Sequence, residues 1–131
     1  MKKKILVVED EPHISKLVKF ILEKNGFEVM QAFVGQEGIE MAKREKPGLI
    51  VLDVMMPNMD GFEMCQRLRA DPTTVEIPIA ILSALSSLVD QTAGLELGVS
   101  RYLIKPVSIN QLAKVIDELV ATGEVAISAE R

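Results

Sequence analysis

The chain has 131 residues, 48% hydrophobic and 26% charged, with a formal net charge of −4; that suffices for one domain with one core and excludes a charge-driven nucleic-acid binder. No apolar run reaches membrane-spanning length, and Met1-Lys2-Lys3-Lys4 leads into only four apolar residues before Glu9, too few for a signal peptide. The single cysteine, Cys65, excludes an internal disulfide and reads as a small core residue, so a soluble cytoplasmic protein is expected.

In chain order, Ile5 to Val8 is a continuous apolar run closed by Glu9-Asp10-Glu11. Pro12 suits a first helical turn, Ile14, Leu17, Val18, Ile21 and Leu22 follow at helical spacing, and Gly26 fits just past the helix end. Phe27 to Gln31 reads as a short strand, and Gly35 to Glu45 as a helix packing through Ile39, Met41 and Ala42 and stopped by Pro47. Leu49 to Leu52 is too short for a helix and reads as a strand buried on both faces, ending in Asp53. A loop with Pro57 follows, and Gly61 opens a helix carrying Phe62, Met64, Cys65 and Leu68 that ends before Asp71-Pro72. Ile77 to Leu82 is a fourth strand closed by Ser83-Ala84, and Ser87 to Leu97 is a weaker helix ending at Gly98. Tyr102 to Ile104 is a fifth strand closed by Lys105-Pro106, and Ile109, Leu112, Ile116, Leu119 and Val120 form a last amphipathic stripe.

Strands alternating with helices predict an α/β fold: a doubly wound, five-stranded parallel sheet with five helices on its two faces. The expected strand order is 2-1-3-4-5, with the switch point between the first and third strands, where such sheets bind ligands. Those strands end in Glu9-Asp10 and Asp53, so topology gathers acids that lie far apart in sequence.

Three carboxylates at short range repel, and burying one raises its pKa. A hard divalent cation resolves that conflict, and Mg²⁺ accepts carboxylates, carbonyls and waters. No Cys/His cluster offers a zinc site. Ser83 adds a hydroxyl and Lys105 a point charge, a set that suits phosphoryl transfer, in which Asp can act as the nucleophile.

These residues resemble the response-regulator receiver domain of two-component signalling, over about residues 3 to 121. The motifs are Glu9-Asp10, Asp53 with Met56-Pro57-Asn58-Met59-Asp60-Gly61, Ser83-Ala84, and Tyr102 with Lys105-Pro106. The resemblance implies a flavodoxin-like fold, with residues 1–121 as the receiver domain and 122–131 as a tail or the start of a linker. It implies that Asp53 is the phosphoacceptor, that Asp10 and Asp53 ligate Mg²⁺ through side chains and Met55 through its carbonyl, and that Glu9 acts through a water. Ser83 and Lys105 would contact phosphoryl oxygens, Tyr102 would be an aromatic switch that turns inward as Ser83 moves, and the bond before Pro106 would be cis. The implied donor is a sensor histidine kinase or histidine phosphotransfer protein. Output would run through the face made by the fourth helix, fifth strand and fifth helix, or through an effector domain beyond this chain.

The resemblance has gaps. Ser83 stands where Thr is frequent. Gly98-Val99-Ser100-Arg101 lacks the acids that one DNA-binding subfamily uses in dimer contacts, so that dimer does not follow. A monomer or a phosphorylation-dependent dimer is expected, without direct nucleic-acid or membrane binding. His13, at a helix start, reads as a surface residue rather than a phosphoryl carrier. Met55, Met56 and Met59 read as core cover and partner-facing rim rather than a soft-metal site. Lys2 to Lys4 reads as solvated. A flavin carrier would need a hydroxyl- or glycine-rich phosphate loop where Glu9-Asp10-Glu11 stands, and a phosphorylation-independent module would be expected to have lost Asp53 or Lys105. The protein is therefore expected to be a regulator that catalyses only its own phosphorylation and a slow dephosphorylation.

Overall fold

Strand and helix alternate as β1 (Lys4–Val8), α1 (Pro12–Lys24), β2 (Glu28–Ala32), α2 (Gly35–Glu45), β3 (Leu49–Leu52), α3 (Gly61–Ala70), β4 (Ile79–Ser83), α4 (Leu88–Glu96), β5 (Arg101–Ile104) and α5 (Ile109–Ala121). This computed structural model describes residues 3–121 apart from positions 57, 86 and 107. Pro57, the expected tail 122–131, Lys2 and the side chains at positions 109 and 120 thus lie outside the described residues. Among the described residues no helix is long and apolar enough to cross a membrane.

The strands form one parallel sheet in the order β2-β1-β3-β4-β5. The three inner strands are the continuous apolar runs, as a sheet covered on both faces requires. Successive side chains point to opposite faces. Leu6, Val8, Ile50, Leu52, Ile79 and Ile81 meet Ile39, Met64 and Leu68 in one core. Ile5, Val7, Leu49, Val51 and Leu82 meet Ile21, Leu22, Leu112 and Ile116 in the other. Each such Leu or Ile contributes about 1.5–3 kcal/mol by leaving water.

Helix starts follow local chemistry. The Glu11 carboxylate accepts the His13 N–H ahead of α1, Asp60 accepts the Glu63 N–H at 2.9 Å ahead of α3, and Ser87 accepts the Asp90 N–H at 3.1 Å ahead of α4. Gly26 follows α1 at φ +92, a conformation that glycine adopts at little cost.

Several boundaries differ from the sequence reading. β4 starts at Ile79 rather than Ile77, because Pro78 lacks an N–H and the Ile77 N–H turns back to the Thr74 carbonyl at 3.1 Å. It also includes Ser83, whose carbonyl accepts the Lys105 N–H at 2.8 Å. β2 and β5 are each displaced or extended by one residue, and Ser87 is the cap of α4 rather than its first turn. Leu17, expected in the packing stripe of α1, is exposed on the helix shoulder.

Arg69, in the last turn of α3, ties down the far end of the molecule. Its guanidinium donates to four backbone carbonyls: Val75 at 2.8 Å, Ile77 at 2.8 Å, Leu97 at 3.2 Å and Gly98 at 3.1 Å. Partial burial lowers its pKa, and hydrogen bonds from a charged donor are among the stronger ones. The last two carbonyls lie just past α4.

Candidate functional site

Register places the acids. Val8 pairs with Leu52 across β1 and β3, so the next residue on each strand, Glu9 and Asp53, emerges at the same sheet edge. The Asp53 N–H still bonds to the Val8 carbonyl at 2.9 Å, and the Glu9 N–H to the Ala32 carbonyl at 3.1 Å. Both carboxylates are therefore held by strand backbone, and their residues are only 4% and 3% exposed. Asp10, half-buried, completes a triad in which one oxygen from each residue lies within 4.8 Å of the others.

Lys105 comes from the far side of the sheet. Ser83 pairs with Ile104 across β4 and β5, which delivers Lys105 to the same edge. Its Nζ lies 3.0 Å from Glu9 Oε1 and 3.4 Å from Asp53 Oδ1. The Lys105–Pro106 peptide bond is cis. The other oxygen of Glu9 accepts the Glu11 N–H at 3.2 Å, and Asp53 Oδ1 also accepts the Met55 N–H at 3.2 Å. Burial, reinforced by the Asp53 charge, raises the Glu9 pKa to about 7, while Lys105 and the Glu11 N–H pull the other way.

Ser83 is fully buried at the end of β4, and its hydroxyl accepts the Leu85 N–H at 3.0 Å. The carbonyl of the same Leu85 accepts the Tyr102 hydroxyl at 2.8 Å. One residue of the β4–α4 loop, Leu85, thus bonds to both expected switch residues through its own N–H and carbonyl, which belong to successive peptide units. The Tyr102 ring is half-buried and lies against Gly94 of α4; a β-carbon there would be 2.9 Å from Tyr102 Cδ2. Burial raises the Tyr102 hydroxyl pKa, and the Ser83 hydroxyl opposes the shift.

Glu9, Asp10, Asp53 and Lys105 are thus brought to one point, with Ser83 on the neighbouring strand end. The Met55 side chain points outward, 56% exposed, whereas Met56 and Met59 are buried. His13 is exposed. Cys65 is buried and its thiol pKa is pushed up to about 12, so it stays protonated and inert. Two features were missed from sequence: the direct Lys105–Glu9 contact and the engagement of both backbone groups of Leu85. The second is pure backbone, which leaves no side-chain signal.

The donor set is all oxygen plus one ammonium, which fits a hard divalent cation and does not fit a thiolate- or imidazole-seeking metal. Burial, with the Asp53 charge adding to it, raises the Glu9 pKa, and a cation at the triad would favour the ionised carboxylate and oppose that shift.

Comparison with known proteins gives the family and the fold. The family model "Response regulator receiver domain" matches residues 5–117. The chain is 41% identical over 126 residues to the alkaline phosphatase synthesis transcriptional regulatory protein PhoP of Bacillus subtilis, covering 96% of this chain and 52% of PhoP. It is 41% identical over 128 residues to the DNA-binding dual master transcriptional regulator RpaA of Synechocystis, covering 97% of this chain and 53% of RpaA. The chain therefore spans about half the length of these curated relatives. Among solved structures, chemotaxis protein CheY4 of Vibrio cholerae superposes with a TM-score of 0.86 at 29% identity, covering 92% of this chain and all of that one. The Francisella response regulator 1452 receiver domain gives 0.84 at 34% identity, covering 92% and 98%. By sequence, strand order and the residues at its sheet edge, the chain belongs to the response regulator receiver domains of two-component signalling.

Proposed function

We propose that the chain is a phosphorylation switch in which Asp53 takes a phosphoryl group from a histidine kinase or histidine phosphotransfer protein. The observation that carries this reading is the convergence of Glu9, Asp10 and Asp53 with Lys105 Nζ 3.4 Å from Asp53 Oδ1. In the transfer an Asp53 carboxylate oxygen attacks phosphorus, the O–P bond forms, the donor's N–P bond breaks, and the electron pair stays on the departing imidazole. The Asp53 side chain is aimed by the Met55 N–H and Lys105. Lys105 and the Ser83 hydroxyl would bind phosphoryl oxygens, a role that suits a transfer in which positioning and charge neutralisation dominate catalysis.

Mg²⁺ would be held by the Asp10 and Asp53 side chains and the Met55 carbonyl, with Glu9 acting through a water; when bound it neutralises charge on the phosphoryl oxygens. The unit is residues 1–121, with 122–131 a tail or linker start. Because PhoP and RpaA are transcriptional regulators about twice as long, output through an attached effector domain is favoured, with the α4–β5–α5 face carrying the signal. A cytoplasmic location fits that role. As an enzyme the domain acts only on itself.

The test is incubation with acetyl phosphate and Mg²⁺ followed by intact-mass measurement. One phosphoryl group should be added to the parent and none at the same rate to Asp53→Asn. Equal gain in the variant would move the acceptor elsewhere.

A further inference from the structure

We propose that Gly61 is a positioning residue for the chemistry at Asp53, because α3 rests its first residue directly on the acceptor's own peptide. The proposal builds on Asp53 being the phosphoacceptor. A β-carbon at Gly61 would stand 2.7 Å from the Asp53 carbonyl oxygen, 2.7 Å from Val54 Cα and 3.1 Å from the Asp53 carbonyl carbon. All three are backbone atoms, so none can swing aside by changing rotamer. The other tightly packed helix glycines, Gly35, Gly38 and Gly94, face side chains of Met59, Met64, Val8 and Tyr102.

The contact is also hydrogen-bonded. The Gly61 N–H donates to the Val54 carbonyl at 2.8 Å, and that carbonyl accepts the Met56 N–H at 3.1 Å. The turn that carries Asp53 off β3 is therefore closed both by its own loop and by the helix. Inside that turn the Met55 N–H aims the Asp53 carboxylate at 3.2 Å.

Gly61 is not at positive φ, so alanine could adopt its backbone conformation and would favour the helix. What opposes alanine is the space held by the acceptor peptide. Met64, Cys65 and Leu68 fix α3 against the core, so the added methyl acts on the Asp53–Val54 peptide. A carboxylate displaced this way loses its aim at the metal and at phosphorus, and small misplacements of reacting groups are costly.

Gly61→Ala should be compared with Ile116→Val, a destabiliser in the other core. In the metal-free protein, Gly61→Ala should shift the Asp53 and Val54 amide resonances and Ile116→Val should not. Gly61→Ala should also weaken Mg²⁺ binding by about 10-fold or more, the scale on which residues supporting metal ligands act, and slow phosphorylation by acetyl phosphate. Unmoved resonances with parental Mg²⁺ affinity would overturn the proposal. If Gly61→Ala does not fold, the Gly61 amide of the parent decides. It should shift on adding Mg²⁺ and beryllofluoride and exchange more slowly, and an indifferent amide would overturn the proposal. A parent that neither binds Mg²⁺ nor gains phosphoryl would refute the phosphoacceptor reading, and the metal-free resonances would still judge the brace.

Discussion

Lys105 Nζ stands nearer to Glu9, at 3.0 Å, than to Asp53, at 3.4 Å. The ammonium thus bridges two buried carboxylates that would otherwise repel, and it must leave some of that pairing to serve an incoming phosphoryl group. Lys105→Ala should therefore do two things at once. It should lower stability at neutral pH, since removing one partner leaves buried charge uncompensated, and it should slow phosphorylation by acetyl phosphate. Thermal denaturation and a phosphorylation time course read the two separately. A variant with parental stability would show that the bridge contributes nothing to the fold.

Glu9 gives the metal-free protein a pH dependence of unusual sign. Its pKa rises on folding from an ordinary 4.5 to about 7, chiefly through burial. The folded state then retains a proton that the unfolded chain has released. Stability contributed by that proton is present at low pH and is lost as pH rises from about 4.5 through about 7. At about 1.4 kcal/mol per unit, the effect is readily visible. In chelator, the melting temperature of the parent should fall between about pH 5 and pH 8, Glu9→Gln should flatten that slope, and Mg²⁺ should restore more stability at the higher pH. The same slope in Glu9→Gln would assign it to another group.

Asp10 should contribute more than Glu9 to Mg²⁺ binding. Glu9 is already engaged by Lys105 and the Glu11 N–H, whereas Asp10 is half-buried and part of the same triad. A metal titration should find a larger loss for Asp10→Ala than for Glu9→Ala. Equal or reversed losses would contradict the assignment.

Phosphorylation should remodel the stretch from Ser83 to Pro106. If Ser83 turns toward the phosphoryl group, the Leu85 N–H loses its acceptor, and the Leu85 carbonyl moves with the Tyr102 hydroxyl bonded to it. Hydrogen exchange with and without beryllofluoride should differ across this stretch. Tyr102→Phe should cost about 0.5–1.5 kcal/mol, the usual net worth of one hydrogen bond, and uncouple α4 from the site. No exchange difference in the parent would mean that this receiver signals by another route.

The phosphorylated state should be long-lived. Hydrolysis needs a water in line behind phosphorus, and polar groups that hold such a water change rates strongly. The residues two beyond Asp53 and two beyond Ser83 are Met55, exposed, and Leu85, half-buried. Neither side chain offers a useful hydrogen bond. Phospho-Asp53 should decay more slowly in the parent than in a Met55→Asn, Leu85→Glu variant. Equal decay would show that these positions do not set the lifetime.

The central strands and the strand order were legible because strands buried on both faces are unbroken apolar runs, and the alternation with helices leaves few topologies. Glu9, Asp10, Asp53, Ser83 and Lys105 were legible as a group because each stands at or just past a strand end. The start of β4 was not, because Ile77 is apolar but Pro78 cannot join the ladder. Leu17 fits the helical period yet lies on its shoulder, a matter of how far the neighbouring layer extends. Gly61 signalled a helix start, but its contact with the Asp53 peptide depends on how α3 returns to the sheet.

The Arg69 clamp gives α4 a fulcrum. Carbonyls of Leu97 and Gly98, just past its last turn, are held from α3, while Leu88 and Val89 at its first turn are each 78% exposed. The helix is about 13 Å long. A tilt of about 10° about Arg69 would carry its first turn by about 2 Å and leave its last turn almost still. Any force applied through the β4–α4 loop is thus delivered as a sweep of Leu88 and Val89, the apolar end of the lever, across whatever surface meets them.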